Sequence, residues 1–239
     1  MIPAQWLMPA SVLGLVIAAI LAAGLVSRYQ QYKALQRARL KRVATPIGAI
    51  ERGLNQLGSV PLSKELRQVL RGDVLRRYQA VARLHRGYPR IERLLAEARA
   101  RLDSEGAAQG NSVPAIEDET RYKALVSALE DLIVFFEQHG PLEPLGQAHR
   151  RVLMGELKER RAEVWARYHI VAAHRASDAS DPRLARQHLH ALMSKLKTQG
   201  PNTDFVRALY QEAEQLRASV LAAPTQAPTQ AQGEAAGAG

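Results

Sequence analysis

Apolar positions along the chain form one uninterrupted run followed by a series of helical stripes. Residues 7–26 (LMPASVLGLVIAAILAAGLV) contain no charged side chain, and twenty helical residues at ~1.5 Å each reach ~30 Å, the hydrocarbon thickness of a bilayer. The run predicts a transmembrane helix, with residues 1–6 as a short extracytoplasmic N-terminus. Beyond it, apolar residues recur every third or fourth position, the period of an α-helix packed on one face. Ile47, Ile50, Leu54 and Leu57 mark a first helix that Thr45-Pro46 opens and Gly58 ends. Leu62, Leu66, Leu70, Val74, Tyr78, Val81 and Leu84 mark a second, and Ile91, Leu94, Leu95, Ala98 and Leu102 a third that starts after a Gly-Tyr-Pro turn.

A second group follows a polar linker at residues 104–114. It comprises a helix carrying Leu125, Leu129, Leu132, Ile133 and Phe136, a long helix from Pro144 to about Ala176, and a helix that Asp181-Pro182 caps and opens. A terminal helix carries Phe205, Leu209, Ala213, Leu216 and Val220. The fold class is therefore all-α: a span at 7–26, a basic juxtamembrane helix at 27–45, a three-helix unit at 46–103, and a second such unit with the terminal helix at 115–221. Residues 222–239, with a PTQA repeat and no large apolar side chain, predict a disordered tail.

The two units resemble each other. PLSKELRQVLRGD at residues 61–73 aligns without gaps on PLGQAHRRVLMGE at residues 144–156, and Arg77-Tyr78 matches Arg167-Tyr168 at an offset seven residues larger. Seven residues leave a helix face within ~20° of its direction, so the second copy can lengthen its middle helix without rotating its core. These features predict an internal repeat of helical units.

Charge sets the orientation. Arg28, Lys33, Arg37, Arg39, Lys41 and Arg42 follow the span with no acid before Glu51, and no Lys or Arg precedes it. Basic residues beside a span stay on the cytoplasmic side, so the expected arrangement has the N-terminus outside and the helical domain in the cytoplasm of a bacterial inner membrane. The same six cations account for six of the net +10 charges and are the candidate contacts with anionic headgroups. A cleaved secretory signal would place its charges before the apolar run. The chain has no cysteine, which excludes lipoprotein acylation and disulfides.

Within the span, Ala10, Gly14, Ala18 and Ala22 recur every fourth residue. Such a small-residue stripe lets a second helix approach closely, making a homodimer an expected partner, although Ala filling an apolar helix produces the same pattern.

Catalytic chemistry is not legible. There is no dinucleotide fingerprint, phosphate loop, nucleophile elbow or HExxH helix. His169 and His174 stand five apart and His188 and His190 two apart, neither being the i, i+4 spacing of a helical zinc site, so they read as surface or boundary histidines. No enzymatic activity, cofactor or metal is expected. Trp165, with Tyr168 one turn on, is a large amphipathic side chain suited to a core or to a protein interface. The expected function is that of a single-span scaffold or adaptor binding protein partners. A membrane tether for nucleic acid is the alternative, resting on the doublets Arg76-Arg77, Arg150-Arg151 and Arg160-Arg161.

Overall fold

The computed structural model describes residues 7–85, 87–104 and 112–222, with side chains over 24–220 of these. The described residues form seven α-helices and no strand: α1 (Leu7–Gln56), α2 (Lys64–Leu84), α3 (Ile91–Asp103), α4 (Glu119–Val134), α5 (Gln147–Asp178), α6 (Pro182–Gln199) and α7 (Asp204–Ala222). The helical-bundle expectation is met.

The first helix departs most from the sequence pattern. No break occurs at Thr45-Pro46: α1 runs unbroken from Leu7 to Gln56 with Pro46 inside it, and a 3₁₀ turn at Leu57–Ser59 ends it. An interior proline costs ~3 kcal/mol. Burial outweighs this, because Ile47, Ile50 and Leu57 are each at most 6% exposed, and sequestering such a side chain is worth about 1.5–3 kcal/mol.

Among the described residues, no helix is long and apolar enough to cross a membrane. The backbone of the expected span is helical, but its side chains from residue 7 to residue 23 lie outside the described residues. The same holds for Ala10, Gly14, Ala18 and Ala22. Most of the expected linker, residues 105–111, and the expected disordered tail from 223 onward also lie outside them.

Caps and glycines define the bundle helices. Ser63 accepts from Leu66 N–H at 3.1 Å to open α2, and Asp118 and Asp181 open α4 and α6 in the same way. At its end α4 widens into a π-turn, Phe135–His139, closed by Gly140 N–H to Phe135 O at 2.8 Å. Gly140 has φ 64°, a conformation open to glycine at no steric cost.

The helices pack serially, α1 on α2 and α2 on α3, then α4 on α5 and α5 on α6, with α7 covering α5 and α6. The two groups meet where α1 crosses α4. Gly53 permits that approach, since a Cβ there would lie 3.2 Å from Leu132. The core joins Ile50, Leu66, Leu70, Leu129, Leu132, Phe135, Phe136, Leu153, Leu157 and Trp165 in one cluster.

Candidate functional site

Residues 24–39 of α1 are exposed, and Leu40 is the first side chain of that helix to touch the core. A bare helical stalk, residues 27–39 and ~20 Å long, thus separates the apolar run from the bundle. Arg28, Lys33, Arg37, Arg39, Lys41 and Arg42 are all exposed. At 100° per residue they are distributed around the helix instead of along one side. Tyr29 and Tyr32 are 59% and 60% exposed, with Lys33 Nζ 4.5 Å from the Tyr29 ring centroid.

Where the stalk enters the bundle, a buried ion pair ties it down. Arg77 Nε donates to Asp73 at 2.5 Å, its Nη2 to Gly140 O at 2.8 Å and its Nη1 to Val43 O at 3.4 Å. Asp73 also accepts from Leu142 N–H at 2.6 Å. One side-chain pair therefore links α1, α2 and the α4–α5 connection. Glu163, 1% exposed, likewise accepts from Val113 N–H at 2.8 Å, holding the segment that enters α4.

A groove of about 410 Å³ opens between the start of α4, the second half of α5 and the start of α6, walled by Ile116, Glu117, Tyr168, Arg175, Leu184 and His188. Glu117 and Arg175 pair across its rim. Behind the Tyr168 wall, Tyr122 stacks on Tyr168 with centroids 4.1 Å apart and planes 12° apart. Lys195 Nζ donates to Tyr122 Oη at 2.7 Å. His169 and His188 face each other with their Nδ1 atoms 3.3 Å apart. Burial, reinforced by Lys195 and His188, pushes His169 down to about 4, so it is neutral at physiological pH. Burial and the nearby Glu119 raise the Tyr168 phenol above its ordinary range. No group of three or more His, Asp or Glu able to hold a metal ion occurs among the described residues.

The two interface candidates separate. Trp165 is 2% exposed and wedged into the core, with the Arg161 guanidinium 4.7 Å from its ring and Lys195 5.9 Å from it. It has no exposed face, because α6 packs against this part of α5 and brings Lys195 to the ring. Tyr168 is half-buried and lines the groove. The histidine contact escaped the sequence reading, which compared spacings along single helices. Its signal was the hairpin itself: His169 stands nine residues before Asp178, the end of α5, and His188 ten after it.

Most of the arginine doublets have partners within the protein. Arg76 pairs with Glu143, Arg77 with Asp73, Arg160 with Glu163 and Arg161 with Glu130, while Arg150 donates to the carbonyls that end α4. No protein family, curated protein or solved structure matches the chain.

Proposed function

We propose that the protein is a non-enzymatic, single-span scaffold of a bacterial inner membrane, with its helical bundle on the cytoplasmic side, where it binds a protein partner. The observation that carries this reading is the unbroken α1, which leads from the uncharged run at residues 7–26 through a bare cationic stalk into the bundle core. A stalk with cations on all sides and two tyrosines at its start suits an anionic headgroup layer. The groove beside Tyr168, part apolar and part charged, suits a protein segment. The nucleic-acid alternative is weaker, since the doublets that motivated it are largely neutralised by carboxylates or bonded to carbonyls.

Membrane fractionation tests the anchor. The full chain is expected to stay in the membrane pellet after an alkaline carbonate wash, and Val16→Arg with Ile20→Arg to release it, each buried charge costing about 2.5–3.5 kcal/mol at a helix centre. Affinity purification in mild detergent after nuclease treatment tests the scaffold: a stoichiometric protein is the expected result, and recovery of nucleic acid alone from untreated membranes overturns it.

A further inference from the structure

We infer that the exposed stripe of the stalk, Leu25, Tyr29, Tyr32 and Gln36, is the docking site for an acidic amphipathic helix of another protein, which lies along α1 on the membrane side of the bundle. The inference goes beyond the groove at Tyr168 and takes from the anchor reading only the position of the headgroup layer.

The stripe continues a packed face. Leu40, Val43, Ile47 and Ile50 are α1 side chains that join the core, at steps of three, four and three. Leu25, Tyr29, Tyr32 and Gln36 precede them at steps of four, three and four. At 100° per residue all eight point within an arc of about 80°, with Leu35 beside it. α1 is one unbroken helix, so a single seam passes from the bundle, which covers it, to the stalk, which does not. Leu25, Tyr29, Tyr32 and Leu35 are each more than half exposed. The Gln36 amide donates to the Tyr32 hydroxyl at 2.6 Å and holds the ring along the stripe. A seam at three- and four-residue steps is a surface on which a second helix packs.

Charge selects the occupant. Arg28, Lys33, Arg37 and Arg39 surround the stripe, have no ion-pair partner among the described residues, and are followed by no acid before Glu51. Lys33 and Arg37 stand four apart, as do Arg37 and Lys41, and like charges at that spacing destabilise a helix. The bare stalk therefore lacks the opposite-charge pairs that support a solvent-exposed helix. Carboxylates flanking an apolar seam supply them, as at the flanks of a coiled coil. A second copy of this stalk brings the same cations and no acid. Residues 105–111 and 223–239 of this chain hold one acid each and no large apolar side chain, so neither is the occupant.

Distance separates most of the stripe from lipid. The headgroup layer reaches roughly 5–7 Å beyond the end of the apolar run at Val26, which takes in Arg28 and Tyr29. At ~1.5 Å per residue, Tyr32 lies about 9 Å beyond Val26, and Leu35 to Arg39 about 13–20 Å beyond it.

The test uses the full chain in phosphatidylcholine vesicles and a three-heptad helical peptide with Leu at its seam and Glu on both flanks. With Gln36 replaced by p-benzoylphenylalanine the chain is expected to cross-link the peptide; with Ala38 so replaced, about 200° around the helix, it is expected not to. The same peptide with Lys on its flanks is expected not to bind. Tyr29→Ser with Tyr32→Ser is expected to weaken binding of the Glu peptide about tenfold or more, and Lys33→Gln with Arg39→Gln by up to about fivefold per cation. The thermal midpoint should be unchanged in both, because these side chains are exposed. Equal cross-linking from 36 and 38, equal binding of the Glu and Lys peptides, or binding that the tyrosine substitutions leave intact overturns the inference. Cross-linking from 36 to a second copy of the chain or to lipid, with no peptide adduct, overturns it in favour of self-association or of a headgroup contact. A duplex oligonucleotide that binds where the Glu peptide does not overturns it in favour of nucleic acid. An alkaline wash of the same vesicles reads the anchor separately: a chain that stays and does not discriminate between the peptides loses this inference alone, whereas a chain that washes out loses the anchor.

Discussion

Glu156 of α5 accepts both the backbone N–H and the hydroxyl of Ser63, at 2.5 and 2.7 Å, and Ser63 is the residue that caps α2. Asp73, which aligns with Glu156 in the sequence motif shared by α2 and α5, makes the converse contact with Leu142 N–H in the chain entering α5. Each long helix thereby pins the segment that leads into the other. Glu156→Ala leaves the Ser63 N–H without its acceptor and frees the cap, and the expected loss is about 1–3 kcal/mol. Denaturant titration of the detergent-solubilised chain checks it, with a lowered midpoint and an unchanged slope as the expected outcome.

The Asp73–Arg77 pair is fully enclosed, with side chains 0% and 4% exposed. Asp73→Ala strips Arg77 of its counter-ion and Leu142 of its acceptor, and an uncompensated buried charge is expected to cost about 3–5 kcal/mol. Replacing both partners, Asp73→Leu with Arg77→Met, is expected to cost less than Asp73→Ala alone, because no charge is then left buried. Thermal unfolding of the two variants side by side decides it.

Gly53 is a steric requirement of the α1–α4 crossing. A Cβ at this position meets Leu132 at 3.2 Å, closer than a packed core accepts without moving. Gly53→Val is expected to destabilise by about 1–3 kcal/mol despite the better helix propensity of valine. The loss should largely disappear when Leu132→Ala is added, a coupling that a double-mutant cycle reads directly.

His169 makes stability depend on pH. Its ring titrates near 6.5 when unfolded and at about 4 in the fold, so between those values the unfolded chain binds more protons. Stability from this group is complete above about pH 6.5 and declines as the pH falls toward 4, by up to about 3 kcal/mol. His169→Gln cannot titrate. The difference in thermal midpoint between the native chain and this variant is therefore expected to change between pH 7.5 and pH 4.5, which separates His169 from the carboxylates titrating in both.

The sequence carried the element inventory well, because each helix keeps one apolar stripe at a constant period and Asp181-Pro182 announces the start of α6. It misplaced the break at Pro46, since a proline's local cost is visible in sequence while the burial of Ile47 and Ile50 that offsets it depends on α2 and α4. The carboxylate pins were illegible for a related reason. Glu156 and Ser63 lie 93 residues apart, and no periodicity along one helix shows which loop a side chain reaches. The charges of the stalk, by contrast, needed only their order in the chain to be read.

Trp165 and Tyr168 sit on the same turn of α5, yet their environments predict opposite phenotypes. Trp165 is packed among core side chains and under two cations, so Trp165→Ala is expected to cost about 3–5 kcal/mol of stability. Partner recovery should be unaffected at temperatures where the variant is still folded. Tyr168 gives one face to Tyr122 and lines the groove, so truncation removes one stacked pair, worth about 0.5–1.5 kcal/mol beyond its area, and also a wall of the groove proposed to hold a partner. Tyr168→Ser is therefore expected to lower recovery of the bound protein several-fold with a smaller shift in the thermal midpoint than Trp165→Ala. Parallel measurement of midpoint and recovery for both variants checks this. Loss of the partner with Trp165→Ala alone, in the folded state, would move the interface away from the groove.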